Sequence, residues 1–211
     1  EAIALSTAAN DSNRMAIQHG MASEIYLAKG EAQQALENAL RAYEIDEARG
    51  NTGKTGIRLS QMAAAQMALG QDAEAERSLT RAISILEEAG NEQSLSICRI
   101  QMGQLLNRRS AYDEAARYFA KAAEVFAARK DMYNESRARM GLYEALKANH
   151  PDEAGQHLLR YATLKDSIYR HDMEQNVSHY NVRYKTEELA LQQARERAEK
   201  RVILIAGIAL V

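Results

Sequence analysis

The chain has 211 residues, with 27 Lys and Arg against 29 Asp and Glu, a formal net charge of −2 and a sequence pI near 6.3. That balance, with no aromatic-interleaved basic stretch, argues against a nucleic-acid-binding face. One Pro, 11 Gly and no Trp, in a composition led by strong helix formers, leave little material for strands and bound the answer to an all-α protein, while the single cysteine, Cys98, excludes an internal disulfide framework.

A self-similarity of period 40 organises the elements in chain order. Glu1–Asn10 reads as a lone second helix, carrying Ala2 and Leu5 and ending at the turn Asn10-Asp11. The N-terminus therefore looks cut inside a repeat array, or begins at an atypical cap. A helix pair follows around the turn at Gly30 and ends at Gly50-Asn51. The next pair turns at Gly70 and ends at Gly90-Asn91, and a third turns at Ser110 and ends at Lys130-Asp131. Each helix is expected to run roughly 17–19 residues. Within this frame the columns Ala35/Ala75/Ala115, Ala2/Ala42/Ala82/Ala122, Leu5/Ile45/Ile85/Val125 and Ile17/Ile57/Ile97 stay in register. Ala35, Ala39 and Ala42 share one face with Ile45, and small side chains there let a helix approach its neighbours closely. A fourth, degenerate pair has its second helix beginning near Pro151, a favourable first helical residue, with Ala154 standing 39 rather than 40 residues after Ala115.

The tail is different in kind. Gln156 to Ala206 contains neither Gly nor Pro, which permits a helix longer than one repeat needs. Val177, Tyr180, Tyr184, Leu191, Ala194 and Ala198 fall on a heptad stripe interrupted at Glu187, and Glu196–Lys200 is a favourably oriented i,i+4 pair. Such a stripe calls for a partner helix, here a second copy of the chain. Val202–Val211 has no polar side chain. Ten residues fall short of the about 20 that span a bilayer, so the run reads as the first half of a transmembrane helix; the other reading is a helix end packed on the solenoid or on a dimer mate. The expected division is 1–165 solenoid, 166–201 long helix and 202–211 membrane entry.

The repeat resembles the tetratricopeptide (TPR) family. Tyr26, Gly30, Ala35, Ala39 and Ala42 match in one unit; Gly103, Tyr112, Ala115, Phe119 and Ala122 match in another. The family's first-helix tryptophan is absent, and the period exceeds the usual 34. The resemblance implies an all-α, antiparallel helix-pair solenoid followed by a long C-terminal helix, a coiled-coil candidate. The tail, with Leu164-Lys165-Asp166-Ser167, then Tyr184 and Thr186-Glu187 before an apolar run, is similar to TPR-containing sensor proteins of Bacteroidetes-type bacteria. That implies a ligand- or protein-binding sensor region joined through a transmembrane helix to an output, a histidine kinase first and a LuxR-type regulator second, with the solenoid extracytoplasmic. The basic flank Arg195, Arg197, Lys200 and Arg201 by itself favours a cytoplasmic solenoid. The rival reading is a tail-anchored cytoplasmic TPR adaptor.

No motif points to an enzyme, a metal or a cofactor. Ala48-Arg49-Gly50-Asn51-Thr52-Gly53-Lys54-Thr55 matches a relaxed phosphate-loop pattern, but a helix precedes it where such a loop needs a strand, so it reads as an inter-repeat turn. The five histidines offer no close ligand pair, and Cys98, beside Ile97 and Ile100, reads as a small core residue. The remaining candidate is the concave surface lined by the first helices, open to a peptide, a protein or a small ligand. Mapping by the period places Glu24, Ser60, Gln104, Asn107, Arg139 and Tyr143 there, with Arg139 and Tyr143 one turn apart as the leading pair.

Overall fold

The computed structural model describes residues 11–208, with side chains described for 11–195 and Arg197. The lone helix expected over Glu1–Asn10 and the end of the apolar run, Ala209–Val211, lie outside the described residues. Eight helices are present among those described: α1 (Ser12–Ala28), α2 (Ala32–Ala48), α3 (Thr52–Ala68), α4 (Asp72–Glu88), α5 (Glu92–Arg108), α6 (Tyr112–Ala128), α7 (Met132–Leu146) and α8 (Pro151–Ile208). The described residues contain no strand.

The period of 40 has a simple mechanical origin. Each of α1 to α6 has 17 residues, and three residues connect it to the next. The six connections are the same device. The residue after each C-cap is left-handed: Gly30, Gly50, Gly70 and Gly90, then Ser110 at φ 61° and Lys130 at φ 57°. The next amide reaches back across the turn, as in Glu31 N to Tyr26 O at 2.9 Å and Asp131 N to Phe126 O at 2.9 Å. This closes the last carbonyls of the helix in a Schellman motif. The residue that donates this bond is also the N-cap of the following helix. Asp11, Asn91 and Asp131 accept from the backbone of Arg14, Ser94 and Asn134, which satisfies amides that the first helical turn leaves open.

The alanine columns lie where the period puts them. Ala35, Ala75, Ala115, Ala39, Ala42, Ala82 and Ala122 have no solvent exposure, and Ala154 keeps the same role at the start of α8. Larger side chains fill the space between helix pairs, chiefly Leu79, Leu86, Leu95, Leu105, Phe119 and Phe126. Phe119 of α6 is wedged against Gly103 of α5 and Gly141 of α7. Each first helix touches the next one, α1 to α3, α3 to α5 and α5 to α7, whereas no second helix among α2, α4 and α6 touches the next second helix. The layer whose neighbours meet is the tighter one, so the first helices form the inner face of the array.

The chain divides into two compact units, 1–165 and 166–211, with the boundary inside α8. In the first, the opening turns of α8 are tied to α7 by Glu135, which is almost fully buried and accepts Arg160 Nε and Nη2, both at 2.9 Å, and Arg139 Nε at 3.3 Å. The second unit is helical as far as Ile208. Of the stripe residues, Val177, Tyr180, Tyr184, Leu191 and Ala194 are exposed, as is Met173 one heptad step earlier; the side chain of Ala198 lies outside the described set. Val202–Ile208 continue the helix. Among the described residues no helix is long and apolar enough to cross a membrane.

Candidate functional site

The inner layer is cross-linked by hydrogen bonds whose partners stand about one repeat apart. Gln61 Nε2 of α3 donates to Glu24 Oε1 of α1 at 2.7 Å and to Gly20 O at 3.4 Å. One repeat later, Gln101 Nε2 of α5 donates to Ser60 O at 3.2 Å, and Ser60 Oγ donates to Gln101 Oε1 at 2.8 Å. Arg108 Nη1 reaches Met67 O at 2.9 Å and Lys54 Nζ reaches Asn13 Oδ1 at 2.9 Å. Ser60 and Gln101, the two buried polar side chains of this set, thus spend their hydrogen-bonding capacity on each other between helices.

Across these helices runs a groove of about 240 Å³, lined from all four of α1, α3, α5 and α7. Leu27, Ile57, Ala64 and Ile97 give it an apolar lining; Glu24 stands at the α1 side and Arg137 at the α7 side. Arg137 is half-buried, and its Nη1 donates to Asn134 Oδ1 at 3.2 Å. Asn134 is itself held by Asp131, the N-cap of α7, through Nδ2 to Oδ2 at 2.8 Å.

Of the six residues expected to face the groove, Glu24 and Ser60 line it. Glu24 is exposed, while Ser60 is buried and its hydroxyl is committed to Gln101. The other four take different places. Gln104 is exposed on α5 but is not among the lining residues. Asn107 is half-buried, its amide 3.5 Å from Gly141 O and its Oδ1 buried without a partner among the described residues. Arg139 is turned to α8, donating to Glu135 and lying 3.2 Å from His157 Nδ1. Tyr143 packs half-buried against the core, with the Lys147 ammonium over its ring. The leading pair is therefore not brought together at the groove. Ile57, Ile97, Gln61, Gln101 and Arg137 are lining residues that polarity-based mapping passed over. The signal for three of them is a column: Ile17, Ile57 and Ile97 are aliphatic, and its fourth member is Arg137.

Electrostatics elsewhere are structural. Burial, then the Arg139 guanidinium, holds the His157 imidazole below its ordinary value. Burial pushes the Cys98 thiol up to about 11, so it stays protonated at neutral pH. In the segment with the phosphate-loop pattern, Thr55 is buried and its hydroxyl donates to Asn51 O at 3.1 Å, inside the first turn of α3. Among the described residues no group of three His, Cys, Asp or Glu is placed to hold a metal ion.

No family model matches the chain, and no curated protein sequence does. Solved structures do. BtubC (BKLC) from P. vanneervenii superposes with a TM-score of 0.62 at 17% identity, over 75% of this chain and 66% of that one, a little under two thirds of its length. The putative kinesin light chain of Podospora anserina, with nearly identical TPR-like repeats, superposes with a TM-score of 0.56 at 17% identity, and a singly substituted form of that protein with 0.58 at 18%; both cover 80% of this chain and 84% of theirs. The fold is TPR-like. It is an all-α solenoid of helix pairs followed by a long C-terminal helix.

Proposed function

We propose that this chain is a protein-interaction module that takes an extended peptide segment in the groove of its first helices. The observation that carries this reading is the groove itself. One continuous depression is lined from four successive helices, yet encloses only about 240 Å³, below the roughly 300–1,000 Å³ of compact small-molecule sites. A largely apolar depression that draws its lining from four successive helices suits a chain lying across the repeats better than a compact ligand. The test is selection of a randomised short-peptide library on the full chain, with counter-selection on Ile57→Glu and Ile97→Glu variants of unchanged circular dichroism. Binders lost on both variants support the groove; binders indifferent to both refute it.

We further propose that the chain is the sensing part of a membrane-anchored signalling protein, acting as a dimer through the second unit. What supports the dimer is the exposed row Met173, Val177, Tyr180, Tyr184 and Leu191 at heptad spacing, apolar surface that a second copy would cover. Membrane attachment through Val202 onward, and an output such as a histidine kinase, rest on the resemblance of the tail. Occupancy of the groove shifts the output only to the extent that the peptide binds two states of the protein unequally. Sedimentation equilibrium tests the dimer: the chain should self-associate, Val177→Lys with Tyr180→Lys should restore the monomer, and a monomeric parent chain at tens of micromolar would rule the dimer out.

A further inference from the structure

The groove does not carry the same chemistry at each repeat. Ile57, Ile97 and Arg137 occupy one column, 40 residues apart on α3, α5 and α7, and all three line it. The α7 member is a cation where its two predecessors are aliphatic. Its setting is unusual within this protein. The other arginines that are buried or half-buried each have a carboxylate: Arg58 has Asp46 at 2.9 Å, Arg99 has Glu92 at 2.6 Å and Arg139 has Glu135 at 3.3 Å. Among the described residues Arg137 has none within ion-pair distance, and donates instead to the neutral Asn134. A guanidinium presents five donors in a planar fork that matches a carboxylate in bidentate fashion. Arg137 is therefore partly withdrawn from water, oriented by the Asp131–Asn134 pair, and short of a counter-ion at the edge of an apolar channel.

The spacing sets a register. Packed helices stand about 8–10 Å apart and an extended chain rises about 3.3 Å per residue, so one step along the column corresponds to about three peptide residues. We propose that the groove selects an extended segment whose aliphatic side chain lies against Ile57 and Ile97 and whose Asp or Glu side chain, about three residues away, pairs with Arg137. This rests on the peptide-binding reading above and gives it a specificity. A side-chain carboxylate is assigned rather than a chain terminus because, among the described residues, Arg137 is the only cation lining the groove, whereas terminus capture draws on a nest of converging donors.

The experiment is the same selection with a library acetylated and amidated at its ends, read for sequence preference and followed by fluorescence anisotropy of the selected peptides. The expected consensus is an aliphatic residue with Asp or Glu about three positions away. Arg137→Gln should weaken such a peptide about ten- to a hundredfold while leaving its Glu→Gln or Asp→Asn analogue unaffected, and Arg137→Glu should redirect selection to Lys and Arg. Arg137→Lys keeps the charge and loses the fork, and should give an intermediate loss. Groove-dependent peptides with no acidic preference, or equal losses for the acid and its amide analogue, overturn the specificity and leave groove binding standing. An acidic preference that appears only with free C-termini overturns it in favour of terminus capture. Binders indifferent to both Ile57→Glu and Ile97→Glu overturn the groove reading, and this inference with it.

Discussion

Alanine at Gly141 places a methyl group where the ring of Phe119 already lies. A Cβ built on Gly141 falls 2.5 Å from Cδ1 and Cζ of that ring and nearer still to Cε1, and one built on Gly103, on the other side, falls 2.8 Å from Cε2 and Cζ. Carbon atoms rest at about 3.5–4.0 Å, so the ring must retreat by about 1 Å, and Phe119 is only 1% exposed with a glycine contact on each flank. Overpacking of this kind costs about 1–3 kcal/mol, offset by about 1 kcal/mol from replacing a helical glycine with alanine. With a contact this short the upper part of the range applies, and Gly141→Ala is expected to lose about 2 kcal/mol, a fall of about 4–8 °C in Tm for a chain of this size. Phe119→Leu should cost about 1–2 kcal/mol alone through the space it leaves. Combined with Gly141→Ala it should be no worse than Phe119→Leu, because the methyl then fills what the ring vacated, a coupling of about 2 kcal/mol. Gly155 in α8 is the control: a Cβ there meets nothing within 4 Å, so Gly155→Ala should stabilise by about 0.5–1 kcal/mol. Thermal and urea melts of the four variants, followed by circular dichroism, decide the matter. Strict additivity of the Gly141 and Phe119 losses, or a neutral Gly141→Ala, would refute the wedge.

Three further outcomes follow from buried groups. Asp46 is fully buried and accepts Arg58 Nε at 2.9 Å, joining α2 to α3; Asp46→Ala should cost about 3–5 kcal/mol by stranding a nearly buried guanidinium, and Asp46→Ala with Arg58→Met should recover most of it in urea melts. His157 has its folded pKa lowered by burial and by Arg139, so the unfolded chain binds the proton more readily. Its contribution to stability is complete above the ordinary value near 6.5 and is lost as pH falls through the lower folded value; His157→Gln should flatten that part of the Tm–pH curve below pH 6.5, and parallel curves would contradict it. Cys98, unexposed and with its thiol pushed up to about 11, should react with a disulfide reagent at pH 8 only as the chain unfolds, and immediate reaction in native buffer would show the site to be open.

Most of the fold was legible because it is written six times over. Seventeen helical residues and three connecting ones recur, and each connection needs one residue that tolerates a left-handed backbone. Gly occupies the first four of these positions, and Ser110 and Lys130 adopt the conformation because the Schellman bonds around them demand it. The alanine columns were legible for a similar reason, since no larger side chain fits where helices approach so closely. The groove was less legible because polarity was the wrong guide to it. Gln101 and Ser60 satisfy each other between helices and Gln61 bonds to Glu24, and the surface left open to a ligand is largely aliphatic. Arg139 also had a readable address: its column carries His19 and Leu59, both buried, and Arg99, half-buried and paired with Glu92, which places it on the packed side of the first helix rather than the open one.

In a repeat protein a column that keeps its residue reports packing, so function has to be sought where a column breaks. Breaks come in two kinds, and they are told apart by what stands opposite. The column of Ala39 and Leu79 ends in Phe119, and the helices facing it answer with Gly103 and Gly141; the larger volume is matched inside the fold, so that break maintains the spacing of α5 and α7. The column of Ile57 and Ile97 ends in Arg137, and among the described residues no carboxylate stands within ion-pair distance of it. A break compensated within the chain belongs to stability. A break that alters charge at the lining of a groove, and finds no ion-pair counterpart among the described residues, points to a counterpart on a partner.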